Sequence, residues 1–443
     1  MKGVPLELIA RAISDSDPLP LTGTVVRAAG LVLEAALPRV PVGTACEIRP
    51  THGAPVMAEV VGFFGQTARL MPMGELHGIG EGCTVVPRAS ADRIPVGDAL
   101  LGRVVDAALR PVDGGPVPVL RGRAQLHGAP PPAMARRRVT RPLALGIRCL
   151  DACLTIGEGQ RVAIMAGPGV GKSVLLGMLA RSPDADVVVV GLVGERGREV
   201  REFIERDLGP GLQRAVVVVA TSDESPLARV RAATVATALA EHFRAGGRRV
   251  LLLVDSLSRV AQAQREIGLA AGEPPTTKGY PPSAFAILPR LLERAGNDAG
   301  PGSITGFYTV LAEGDDQSDP VVDAAKATLD GHVVLARALA EAGHFPAIDV
   351  LASISRVMND IVDPAHRELA RQARDVLSAY REAADLVEVG AYAAGSNPRV
   401  DRALRHVQAV RAFLRQGPDE RCSLAETLAA LRDALGVREV DRG

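Results

Sequence analysis

RVAIMAGPGVGKS, residues 161–173, is the stretch that decides the fold. An apolar run leads into a glycine-rich turn and then into SVLLGMLAR (173–181), whose apolar residues recur at helical spacing. Strand, loop and helix in that order are the context that a GxxxxGK(S/T) phosphate loop requires. Backbone N–H groups of the loop formed by Gly167, Pro168, Gly169, Val170 and Gly171 then converge with the positive end of the helix on one anion site, and Val174 in the helix's first turn is counted with the nucleotide-binding residues. Lys172 can reach the β- and γ-phosphates of ATP, and Ser173 can ligate Mg²⁺. The motif's first glycine is replaced by Ala166, small enough for a strand end. A chance glycine-rich turn would lack the flanking strand and helix.

Outward from the loop, apolar runs recur: ADVVVVGLVG, RAVVVVATS, RRVLLLVDS and SITGFYTVL, with helical stretches between them. Runs without polar alternation are what a parallel sheet covered on both faces produces. The region 146–355 is therefore expected to be α/β with a mostly parallel sheet. VLLLVD (250–255) ends in a carboxylate at a strand's C-terminal edge, where Asp255 would hold Mg²⁺ or its waters. GERGRE (194–199) follows the next strand at the same rim. Glu195 is the candidate for orienting or deprotonating water, with Glu199 as the alternative. Composition alone leaves a helix-start salt-bridge network equally open there. PAIDVLASISR (346–356) carries Arg356 on a loop. Phe345 precedes it, and in a chain with eight Phe, four Tyr and no Trp it is a candidate adenine platform.

Residues 5–14 place Leu6, Ile9 and Ile13 at helical spacing, as a short amphipathic segment. Residues 21–88 hold short β-type runs separated by Gly and Pro, the pattern of a small β-barrel. Residues 89–145 are rich in Pro, Gly and Arg and are expected to be a loop-bearing connection. From 362 onward the pattern is helical. The expected organisation is an N-terminal segment (1–18), a barrel (19–90), a P-loop domain with its leading linker (91–361) and a helical domain (362–443).

Among 443 residues the 51 basic and 51 acidic side chains cancel, which argues against a dedicated nucleic-acid binder. No apolar run approaches the ~20 residues that cross a bilayer, and MKGVPLELIA does not read as a secretory leader. The five cysteines are scattered, as expected of buried thiols in a reducing cytoplasm.

AGPGVGKS, VGERGRE, LLLVDSLSR and PAIDVLASISR together resemble the catalytic-type subunits of the rotary ATPase superfamily. More narrowly, the chain resembles the type III protein export ATPases, flagellar and injectisome. The carrying residues include VGDALLGRVVDAALRPVDG (96–114), VGLVGERGREVREFIE (190–205), AQREIGLAAGEPPTTKGYPPSAF (263–285), EGDDQSDP (313–320), LDGHVVLARALAEAGHFPAID (329–349) and GAYAAGSNPRVDRAL (390–404). The likeness spans about residues 20–415.

That resemblance implies a RecA-like P-loop domain between the barrel and the helices. It implies ATP as substrate and Mg²⁺ as cofactor. Lys172 and Ser173 resemble the family's phosphate and Mg²⁺ residues, Glu195 its catalytic glutamate, Arg196 its phosphate-sensing arginine and Asp255 its Walker B aspartate. Phe345 stands where the family has an adenine-stacking aromatic, and Arg356 resembles the arginine finger donated to the adjacent subunit. Implied partners are a homohexamer of the chain, a stator or regulator, a central stalk, chaperone–substrate complexes and a membrane export gate. The implied location is cytoplasmic, peripheral at the inner membrane. GEPPTTKGYPPS, EGDDQSDP and GSNPRVD favour the flagellar branch over the injectisome. An RNA-translocating ring would need basic and aromatic surfaces, whereas residues 21–88 contain only Phe63 and Phe64 as aromatics. A non-catalytic ring subunit would lack Lys172, Glu195 or Asp255, and all three are present.

Overall fold

The structure, a computed structural model, describes residues 21–37, 40–88, 92–311 and 319–437. The amphipathic segment at 5–14 and most of EGDDQSDP lie outside these residues. Contacts divide the chain into two units: one holds residues up to 92 with 224–228 and 266–274, and the other holds the rest.

In the first unit, β1 (Gly23–Ala29), β2 (Val32–Ala36), β3 (Ala45–Arg49), β4 (Val56–Phe64), β5 (Thr67–Pro72) and β6 (Thr84–Arg88) form the expected barrel. It closes in the order β1-β2-β5-β4-β3-β6, all pairs antiparallel. Period-two alternation sends Leu33, Ile48, Val60, Leu70 and Val85 inward to a common core.

In the second unit, residues expected to be a loop contain three short strands: β7 (Arg93–Val96), β8 (Arg103–Asp106) and β9 (Gly122–Gln125). At four residues each, between Gly and Pro, they are too short for alternation to mark them in sequence. α1 (Arg148–Cys153) then leads to β10 (Arg161–Ala166), and α2 (Lys172–Ala180) follows the phosphate loop. β11 (Val187–Glu195), α3 (Gly197–Glu202), β12 (Ala215–Thr221), α4 (Pro226–Ala245), β13 (Arg249–Asp255) and α5 (Leu257–Ala271) continue the α/β alternation. After α6 (Pro282–Leu292) come β14 (Gly296–Asn297), β15 (Ser303–Leu311), α7 (Pro320–Thr328), β16 (Gly331–Leu335) and α8 (Arg337–Glu341). β17 (Ile354–Ser355) and α9 (Met358–Ile361) close the domain.

The sheet runs β17-β16-β10-β15-β13-β11-β12-β8, with β14 added beside β15. All of these pairs are parallel except β14–β15 and β16–β17. Parallel register brings the C-terminal ends of β10, β15, β13 and β11 to one rim, where such sheets bind ligands. Val187 to Val190 are fully buried, as a strand covered on both faces must be.

α10 (Pro364–Glu388), α11 (Pro398–Leu414) and α12 (Leu424–Ala434) form the helical end. Each starts on a side-chain cap: Asp363 accepts from His366 N, Asn397 from Arg399 N, and Ser423 forms a capping box with Glu426. Each cap stabilises its helix by about 1 kcal/mol. Leu369, Ala373, Val376, Val407, Val410 and Leu431 enter the same apolar core as the sheet. No helix among the described residues is long and apolar enough to cross a membrane.

Candidate active site

β10 ends at Ala166 and hands the chain to a loop whose turns only glycine accepts without strain. Gly169 and Gly171 both adopt the left-handed region, at φ +77° and +88°. Gly171 caps α2, so the helix's unpaired N–H groups open onto the loop. Gly167, Pro168, Gly169, Gly171, Lys172, Ser173 and Val174 line a cleft of about 490 Å³. Val170 points the other way, into the core.

Lys172 is the centre of the site. Its Nζ donates to Asp255 Oδ1 at 2.7 Å and to Glu195 Oε1 at 3.1 Å. Burial works against its charge, but the two carboxylates outweigh it and raise the lysine above its ordinary pKa. Asp255 is 3% exposed. Burial raises its pKa, and Lys172 and Thr309 work against that rise. Glu195 is also raised, first by burial and then by a hydrogen bond to Glu199. The sheet sets these positions: Leu192 on β11 lies opposite Asp255 on β13, so Glu195 projects beyond the rim.

Arg196 lies on the cleft wall with its side chain 82% exposed, 3.5 Å from Glu199. Phe345 is absent from the cleft lining but lies beside the loop. A Cβ added to Gly171 would meet its ring at 3.4 Å. Its side of the chain is held by a bond from Gln416 N to Phe345 O at 2.9 Å. Arg356 is not brought to this cleft. It follows β17, whose Ser355 pairs with Gly331 at the start of β16, while the cleft lies past Leu335 at the other end. Four steps along the strand separate the two ends, about 13 Å at ~3.3 Å per residue. Exposed there, Arg356 donates through its side chain to the Lys326 carbonyl.

Two residues were missed in the sequence. Arg259, one turn into α5, lines the cleft and packs on Gly194. Its Nε is buried with no hydrogen-bond partner among the described residues. Its signal was the position four residues after Asp255, on the helix that starts there. Thr309 is fully buried on β15 and donates from Oγ1 to Asp255 Oδ1 at 2.5 Å. A polar residue near the end of an apolar strand was the available signal.

An anion cradle, a lysine and two carboxylates at the rim of a parallel sheet define a P-loop nucleotide-binding protein. Family models match three stretches of the chain. The nucleotide-binding domain of the ATP synthase alpha/beta family matches residues 146–355, its beta-barrel domain matches 25–88, and the T3SS EscN ATPase C-terminal domain matches 362–433. The flagellum-specific ATP synthase of Pseudomonas aeruginosa is 51% identical, over 97% of this chain and 96% of that protein. A type 3 secretion system ATPase of Sinorhizobium fredii is 48% identical, over 97% and 96%. The assembled ATPase EscN of enteropathogenic E. coli superposes with a TM-score of 0.88 at 40% identity, covering 93% of this chain and 100% of that one. EscN is also known in complex with its central stalk EscO, with a TM-score of 0.86 here. The chain belongs to the ATP synthase alpha/beta family, in the branch of the type III export ATPases.

Proposed function

We propose that this protein hydrolyses ATP as a homohexameric ring at the base of a flagellar type III export apparatus, freeing export substrates from their chaperones and unfolding them. The observation that carries the catalytic part is the Lys172 bridge between Asp255 and Glu195 at the mouth of the phosphate loop. The one positive charge of the ammonium is shared between the two carboxylates and offsets part of their charge. With a triphosphate in the cradle, Lys172 would reach its β- and γ-oxygens and leave Glu195 free for water, while Ser173 and Asp255 would hold the metal. The donor set suits Mg²⁺: the Ser173 hydroxyl and the Asp255 carboxylate are hard oxygen ligands, and this ion takes few protein ligands beside phosphate and water. Bound there, it would neutralise charge on the phosphates. Glu195 orients the attacking water and accepts its proton. Arg196 and Arg259 face the terminal phosphate from the cleft wall, and Phe345 offers its ring to the base. Arg356, held at the sheet's other end, serves a neighbouring copy's site.

EscN's known assembly with a central stalk supports a stalk partner here as well. A regulator, a membrane gate and a place at the cytoplasmic face of the inner membrane complete the reading. The 51% identity to a flagellar relative against 48% to a secretion relative inclines the choice to the flagellum. Phosphate release from ATP tests the proposal, because a ring with shared sites must gain specific activity steeply with protein concentration. Constant specific activity across dilutions at which the protein is monomeric would contradict it. In the host, deletion is expected to abolish filament assembly. Intact filaments with lost effector secretion would move the protein to the secretion branch.

A further inference from the structure

Residues Arg415–Cys422 connect α11 to α12 as an irregular strap. The strap is tied to the P-loop domain at two places, the end of α2 remote from the phosphate loop and the chain beside Phe345. On one side Arg181, at the end of α2, donates to the Pro418 carbonyl at 2.8 Å. On the other, Gln416 N donates to the Phe345 carbonyl at 2.9 Å.

Gln416 is 5% exposed, an unusual place for a glutamine, and its amide is fully used. Oε1 accepts from Arg148 N at 2.8 Å, while Nε2 donates to the Gly146 carbonyl at 2.8 Å and to the Glu420 carbonyl at 3.1 Å. Arg148 adds bonds from its side chain to the carbonyls of Phe413 and Arg415. The strap is thus fixed to the start of α1 by the buried Gln416 amide together with the Arg148 side chain. Phe345 itself is 44% exposed, so packing alone does not set its ring. Its backbone is set where the strap holds it.

We propose that Gln416 is a positioning residue for the nucleotide base: its side chain anchors the strap to α1, and its backbone N–H thereby fixes Phe345 beside the phosphate loop. This rests on the reading of Phe345 as the base platform. No part of Gln416 acts on the phosphates, so its loss weakens recognition of the base and leaves the chemistry alone.

The test uses the full-length protein and two ligands, ATP and inorganic tripolyphosphate, which has no base. Gln416→Met keeps the length of the side chain and removes its three hydrogen bonds. The expected result is a rise of about tenfold in KM for ATP with kcat within about twofold, the signature of lost ground-state binding. Inhibition by tripolyphosphate should stay at the wild-type concentration. Gln416→Glu, which keeps the bond from Arg148 N, should fall between and serves if Gln416→Met does not fold. Phe345→Leu should reproduce the pattern, and adding Gln416→Met to it should change nothing more, because the two act as one unit. Equal weakening toward ATP and tripolyphosphate, or a fall in kcat at constant KM, would overturn the proposal. So would an unchanged KM in Gln416→Met where Phe345→Leu raises it. If Phe345→Leu itself leaves the KM unchanged, the stacking reading fails and the proposal falls with it.

Discussion

Glu195→Gln exchanges one oxygen for an amide group and leaves the side chain's shape intact. Lys172 makes its shorter bond, 2.7 Å, to Asp255, and the 3.1 Å bond to Glu195 can be kept by the glutamine carbonyl. No buried charge is therefore orphaned. The structural cost is one charged hydrogen bond turned neutral, about 1–2 kcal/mol. The chemical cost is larger. Burial and Glu199 make Glu195 a stronger base than an exposed glutamate, and its amide cannot take a proton from water. General-base catalysis is worth roughly 10²–10⁴ in rate, or about 2.7–5.5 kcal/mol of barrier. The expected outcome is a fall in kcat of at least ~100-fold, read as phosphate release, with binding of a fluorescent ADP analogue within about tenfold of wild type. Turnover within about threefold of wild type, only ~0.7 kcal/mol, would refute the role. Loss of nucleotide binding would show instead that the carboxylate holds the site together.

Thr309→Val removes the hydroxyl that holds Asp255 and keeps the shape. The Mg²⁺ concentration for half-maximal hydrolysis should rise, and Thr309→Ser should restore it; an unchanged titration would make the bond incidental. Asp151 is a fully enclosed carboxyl that accepts from Leu145 N and Gly146 N. Burial nevertheless pushes it up to about 7 from an ordinary 3.8. The folded protein then binds more protons than the unfolded chain between these values. Its contribution to stability is complete below the unfolded value and is lost as pH rises to about 7, on the order of 4 kcal/mol. Asp151→Asn should flatten the decline of Tm between pH 4 and 7 (the ~3-unit window of the shift), and an equal decline in both proteins would refute the assignment.

The phosphate loop, Asp255 and Glu195 were legible because their chemistry is written in contiguous residues: a glycine run between a strand and a helix, and carboxylates ending apolar strands. The barrel was legible from alternation, and the buried sheet from runs such as VVVV. β8 was hidden by its length, since four residues between Gly and Pro carry no period. Thr309, Arg259 and Gln416 were hidden for a different reason. Thr309 acts with Asp255 across neighbouring strands, Gln416 with Phe345 across a strap, and Arg259 packs on Gly194, so that only the folded register brings these pairs together. Arg356 stood out as an arginine with a family role, while its distance from its own chain's cleft became visible only with the pairing of β16 and β17.

That distance leads to the central claim, a catalytic site shared between neighbouring copies. An arginine finger is worth roughly 10³–10⁵ in rate, and about 13 Å of strand separates Arg356 from the phosphate loop of its own chain. Arg356→Ala and Lys172→Ala should each be nearly inactive alone. Mixed, they form some interfaces that pair an intact loop from the first variant with an intact Arg356 from the second. The measurement is ATP hydrolysis by the two inactive proteins combined at varied ratios, with co-assembly confirmed on the same samples. Activity that returns and peaks at intermediate ratios is the predicted result. Co-assembled rings that stay inactive at every ratio would contradict the shared site.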